Sequence, residues 1–157
     1  MSKLERTEQT QFVNEVRKEY PDLLLRVHLD GMRFANERDK KYVRTAQHNT
    51  QNYPDLFIPN PVWSSLTDNC WHGLFIEFKT SRSKYATLKN ELRKDEKLEG
   101  QKACMVRLRK QGYYCDFAGA EEAMDLLKWY LNLDGLYMPF SDHWWPGSIL
   151  KDEGFLL

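Results

Sequence analysis

Pro54-Asp55 is followed, after twenty-one intervening residues, by Glu77-Phe78-Lys79, and this pair of motifs narrows what the chain can become. Each half lies in a stretch that reads as a strand: Asp55-Leu56-Phe57-Ile58 and Gly73-Leu74-Phe75-Ile76-Glu77-Phe78-Lys79. Side chains alternate between the faces of a strand, so Glu77 and Lys79 project together while Ile76 and Phe78 point the other way. If the two strands pair, Asp55 arrives beside Glu77, and three charged groups converge on the end of an otherwise apolar sheet. Two carboxylates about 4 Å apart repel by roughly 4 kcal/mol at an effective dielectric of about 20, so the arrangement invites a divalent cation. A lysine beside that cation is where metal-assisted attack on a phosphodiester requires positive charge. The constellation points to a nuclease. Taken alone, either motif has a plainer reading. An acid-x-Lys triplet at a strand edge is ordinarily a solvated ion pair, and the second Pro-Asp, Pro21-Asp22, reads as a helix stop and turn.

The rest of the chain fixes the context. Its 157 residues, 41% of them hydrophobic, suffice for one domain with a core that folds unaided. No apolar run reaches the length of a membrane span, and the polar start Met1-Ser2-Lys3-Leu4-Glu5-Arg6 is unlike a signal peptide, so a cytoplasmic protein is expected. Cys70, Cys104 and Cys115 are odd in number and widely spaced, which argues for reduced thiols. Cys70-Trp71-His72 offers two zinc ligands, but no second pair sits at finger-like spacing. The formal net charge is zero, yet it is unevenly spread. Residues 81–110 hold ten Lys/Arg and four acids, a balance of +6, whereas 111–157 hold two Lys/Arg and eight acids, a balance of −6. The positive block starts just after the Glu77-Lys79 strand, where a phosphate backbone would lie. A solvated, charged helix face is the alternative.

Periodicity predicts a helix over 7–20, with Phe12, Val13, Val16 and Tyr20 on one face, and a strand over 23–29 closed by Asp30-Gly31. Residues 32–52 are polar and basic, with a weak helical tendency around 36–47, and stay open between helix and loop. The connection 59–72 is rich in Pro, Asn and Ser. Residues 86–99 are charged and helix-compatible, and Gly100 interrupts them before a firmer helix over 101–110 whose apolar stripe is Cys104, Met105 and Leu108. Gly112 stands where a helix end wants a left-handed residue. A strand over 113–117 and a helix over 121–133 complete the order, with Gly135 as the stop. That order makes a mixed α/β sheet flanked by helices. The tail, with Tyr137, Phe140, Trp144, Trp145 and Phe155, is too aromatic to stand in solvent and is expected to pack on the domain or on a second chain.

These pieces resemble the VRR-NUC branch of the PD-(D/E)XK nuclease superfamily, in particular its small stand-alone members in bacteria and phages. The matching segments are Thr7-Glu8-Gln9, Tyr53-Pro54-Asp55-Leu56-Phe57-Ile58-Pro59, His72-Gly73-Leu74-Phe75-Ile76-Glu77-Phe78-Lys79, Gly100-Gln101-Lys102, Leu108-Arg109-Lys110-Gln111-Gly112-Tyr113 and Gly119-Ala120-Glu121-Glu122-Ala123. The chain departs from the pattern at Tyr53, where relatives often have Gly, and at the turn Asp30-Gly31-Met32-Arg33. The resemblance implies a restriction-endonuclease-like mixed sheet over residues 1–135, with 136–157 as the packed tail. It implies that Asp55, Glu77 and the Phe78 carbonyl bind Mg²⁺ or Mn²⁺, with Glu8 completing the acidic cluster. Lys79 would orient the attacking water or stabilise the transition state, and Gln101 would support it. Arg82, Lys84 and Lys102, from the positive block, are the candidate DNA contacts. The expected activity is a metal-dependent endodeoxyribonuclease of a bacterial or phage-infected cell, a homodimer acting on branched DNA such as four-way (Holliday) junctions. The alternatives are a nickase or flap nuclease of a phage replication or recombination module, and a catalytically silent DNA-binding module.

Overall fold

A computed structural model describes residues 3–27, 52–64, 69–132, 145 and 147–150. Among them the chain runs through helix α1 (Lys3–Glu19), strands β1 (Arg26–Val27), β2 (Leu56–Ile58), β3 (Val62–Ser64), β4 (Asn69–Trp71) and β5 (Leu74–Lys79), and a 3-10 turn (Arg82–Lys84). Helix α2 (Glu96–Arg109), strand β6 (Tyr114–Gly119) and helix α3 (Ala123–Leu131) follow. The sheet has the order β1-β2-β5-β6; its first three strands are antiparallel and β6 joins β5 in parallel through the α2 crossover. This is the mixed sheet flanked by helices that the order of elements implies. No helix among the described residues is long and apolar enough to cross a membrane.

Alternation on β5 builds two cores. Leu74, Ile76 and Phe78 join Leu56, Ile58, Tyr114 and Ala118 beneath α1 (Phe12, Val13, Val16) and α3 (Ala123, Leu126, Leu127, Tyr130). Phe75 goes to the opposite face with Cys115 and Phe117, beneath Leu98, Cys104, Met105 and Leu108 of α2. All six β5 residues are buried, as befits a strand covered on both sides.

Several elements differ from expectation. Of the strand expected over 23–29, residues 23–25 stay outside the sheet and Arg26–Val27 pair with β2, a short strand because Pro54 and Pro59 flank it and cannot donate to a ladder; residues 28 and 29 lie outside the described residues. The connection 59–72 contains a hairpin, β3–β4, which buries Val62 and Trp71 and turns Trp63 outward. Residues 86–94 are not helical. A bridge from Ala86 to Leu92 folds them back, and the helix starts instead at Asp95, whose Oδ1 accepts the Leu98 N–H at 3.0 Å. That helix passes through Gly100 uninterrupted, and a Cβ there would meet the Asn52 amide at 2.6 Å. The last helix starts at Ala123 rather than Glu121, because Glu121 and Glu122 turn to neighbouring backbone and side chains. Gly112 takes the expected left-handed conformation, φ 87°. The helical tendency over 36–47, the Asp30-Gly31 turn, Gly135 and the aromatics Tyr137, Phe140, Trp144 and Phe155 lie outside the described residues. Trp145 and Leu150 are described, and both are buried in the protein's own cores.

The outer edge of β6 is partly closed by side chains. Tyr114 N–H points to the Gly73 carbonyl before β5, so the backbone groups of residues 115, 117 and 119 face away from the sheet. Arg109 Nε and Nη2 donate to the Cys115 carbonyl at 3.1 and 2.7 Å. The Phe117 N–H donates to Asp116 Oδ1 at 2.9 Å and the Gly119 N–H to Glu122 Oε2 at 3.1 Å. Arg109 also donates to the Leu150 carbonyl and lies 3.5 Å from Asp116 Oδ2, so this member of the basic 81–110 block serves the strand edge. It is fully buried within that arrangement.

Candidate functional site

The β2–β5 register places Leu56 opposite Ile76, and one step further it sets Asp55 against Glu77. Asp55 Oδ2 accepts the Phe78 N–H at 3.1 Å, which pins the carboxylate across the end of β5. Glu77 Oε1 accepts from Lys79 Nζ at 2.7 Å and from Gln101 Nε2. The lysine contact follows from the two-residue period that puts both side chains on one face. The glutamine comes from the second turn of α2, the helix lying over that face. Asp55, Glu77, Lys79 and Gln101 therefore form one cluster. Glu77, Lys79 and Gln101 are buried and Asp55 is half-buried.

Burial, and secondarily the Asp55 carboxylate, pushes the Glu77 carboxyl up to about 8, against the pull of Lys79. The Asp55 carboxyl is raised by burial, with Lys79 opposing it and Glu5 of α1 adding to the rise. Phe12 of α1 rests on Phe78, ring centroids 6.1 Å apart, so Glu8, one turn earlier, lies toward the same end of β5. Among the described residues five buried side-chain atoms lack a hydrogen-bond partner, and four of them are Glu8 Oε2, Gln9 Nε2, Glu77 Oε2 and Gln101 Oε1. Buried polar groups are ordinarily paired, so the free oxygens of Glu77 and Gln101, which bond each other through their other atoms, mark a place built for something polar. No group of three or more His, Cys, Asp or Glu gathers closely enough to hold an ion among the described residues. The close carboxylates are two, Asp55 and Glu77. Such a pair fits Mg²⁺, which is held by one or two carboxylates and keeps several waters.

The expected DNA contacts divide. Lys84 is exposed and Lys102 half-buried. Arg82 is engaged: Nη1 donates to Glu122 Oε1 at 2.6 Å and Nη2 to Asn90 Oδ1, with Tyr85 beneath it. Glu122 also accepts from the Tyr85 hydroxyl and the Gly119 N–H. It ties the end of β6, which is paired with the end of β5 at Lys79↔Gly119, to the loop that follows β5. Sequence reading missed this tie. Its one signal was acidic density before α3, which reads as helix-start chemistry. Among the described residues Cys70 and His72 gather no further ligands. The Cys70 thiol donates to the Trp71 carbonyl, and the His72 ring lies against Tyr113.

No family model matches the chain, and no curated protein does either. A solved structure described as "VRR_NUC domain protein" superposes with a TM-score of 0.51 at 22% identity, over 88% of this chain and 99% of that one. The two share a fold.

Proposed function

We propose that the chain is a divalent-metal-dependent DNA endonuclease. The observation that carries the reading is the Glu77 carboxylate: buried, set against Asp55, with Oε1 held by Lys79 and Gln101 and Oε2 left without a partner. The fold held in common with a VRR_NUC domain protein supports it. Asp55, Glu77 and the Phe78 carbonyl would hold Mg²⁺ or Mn²⁺, with Glu8 contributing directly or through water. Bound there, the ion would supply Lewis-acid polarisation of the phosphodiester and acidify a coordinated water. The chain's own groups do the positioning. The Phe78 N–H fixes Asp55, Gln101 and Lys79 fix Glu77, and the Lys79 ammonium brings positive charge to where the pentacovalent transition state gathers its negative charge. Lys84 and Lys102 are the phosphate contacts in this reading, with Arg82 bracing the loop that carries Lys84. The substrate we propose is branched DNA such as a four-way junction, cut by a two-fold homodimer whose two sites deliver symmetric nicks.

Cleavage of end-labelled junctions and linear duplexes, with Mg²⁺, Mn²⁺ or EDTA, tests the reading. Asp55→Ala and Glu77→Ala are each expected to abolish cleavage with circular dichroism unchanged, and calorimetry to show cation binding lost. Wild-type cleavage in EDTA, or undiminished turnover in either variant, overturns the assignment.

A further inference from the structure

Between Lys79 and Gln101 the chain builds a loop whose tip, residues 86–92, the chemistry above leaves unused. Ala86 bridges Leu92, and the turn between them is closed by Thr87 N–H to the Glu91 carbonyl at 2.8 Å and Asn90 N–H to the Thr87 carbonyl at 3.0 Å. Asn90 takes φ 62° to complete it. Below, the Arg93 N–H donates to the Tyr85 carbonyl at 2.8 Å and Arg93 Nη1 to the Ser83 carbonyl at 3.1 Å. Arg82 joins Asn90 to Glu122, so the loop is braced against β6 and α3. On this rigid base Leu88 stands fully in solvent, with a relative exposure of 108%. The same segment carries exposed Lys84, Lys89 and Lys94, and Glu91 is the one acid in residues 81–94.

A single exposed leucine is ordinary. A leucine held out by at least six hydrogen bonds, on a segment carrying three exposed lysines and set between the segments that carry Lys79 and Gln101, has a specific complement. One apolar tip is too small for a protein partner, which needs about 800 Å² per side. It suits nucleic acid, where phosphates flank an apolar stack and an inserted aliphatic side chain pries open a base step. We propose that residues 86–92 form a DNA wedge: Leu88 inserts at an unstacked or branched step while Lys84, Lys89 and Lys94 hold the flanking phosphates. The proposal rests on the nuclease reading and adds how the substrate's discontinuity is recognised.

The test uses the full chain, in EDTA, with a four-way junction carrying 2-aminopurine beside the branch point. Wild type is expected to raise the fluorescence on binding. Leu88→Ala is expected to lose most of that rise and keep the wild-type salt dependence of affinity. Lys89→Ala is expected to keep the rise and lower the slope of log affinity against log salt by about one. An undiminished rise in Leu88→Ala overturns the wedge, as does a Leu88→Ala protein whose light-scattering mass falls while its rise persists, which would make the tip a self-association contact. Metal-dependent cleavage by wild type without any 2-aminopurine signal overturns the wedge alone. A wild-type protein that neither binds nor cuts DNA overturns the nuclease reading with it.

Discussion

Lys79 and Gln101 both bond the same oxygen of Glu77, yet their removal should be felt differently. Lys79→Ala removes the positive group and should lower the cleavage rate by roughly a hundredfold with DNA affinity kept. Gln101→Ala should give a milder loss of the same kind. Single-turnover cleavage and filter binding separate the two effects, and a Lys79→Ala defect confined to affinity would make the lysine a tether. Asp116 carries a second residue-scale expectation. Burial, opposed by Arg109, pushes its carboxyl up to about 6 from 3.8. The folded state therefore binds more protons than the unfolded chain between these values, so stability falls as pH rises through that window, by about 3 kcal/mol in all. Urea unfolding from pH 4 to 7 should show a shallower decline in Asp116→Asn than in wild type, the remainder coming from the raised Glu77 and Asp55 carboxyls. The placement of Asp55, Glu77 and Lys79 was legible because a two-residue period and a strand register decide it. The edge-capping role of Arg109 and the tie at Glu122 were not. Their partners stand far along the chain, Leu150 for the one and Arg82 for the other, and no local pattern encodes such a pair.

Elements repeat the lesson on a longer length. The central strands and α1 carry strong periodicity and were readable; the β3–β4 hairpin was hidden because its strands are three residues each and composition marked the whole connection as loop. Residues 86–94 looked helical by charge, but their backbone bonds go to a bridge and a turn that single-residue propensities do not weigh. Gly112, by contrast, was read correctly from its place after α2. Its φ of 87° and a Cβ position 2.7 Å from His72 Cδ2 leave no room for another residue. Gly112→Ala should cost about 1–2 kcal/mol from backbone conformation alone, and more from the clash. Chemical denaturation measures it; an unchanged midpoint would mean that the α2–β6 turn has an alternative conformation.

For the whole molecule the open question is association. A homodimer would set two Asp55/Glu77 sites against opposite strands of one junction. Trp145 and Leu150 serve the protein's own cores, so an interface would draw on other surface. Light scattering at micromolar concentration is expected to give twice the 18.7 kDa chain mass, and truncation after Gly135 tests the tail; a monomeric wild type would remove the paired-nick mechanism. The partly closed border of β6 limits how such a pair could form. With the Cys115 carbonyl and the Phe117 and Gly119 amides already satisfied from within, a neighbouring chain arriving there finds fewer groups left to bond. Growth of the sheet from one molecule into the next is disfavoured on that side, and with it the usual route by which an uncovered strand recruits copies of itself into fibres.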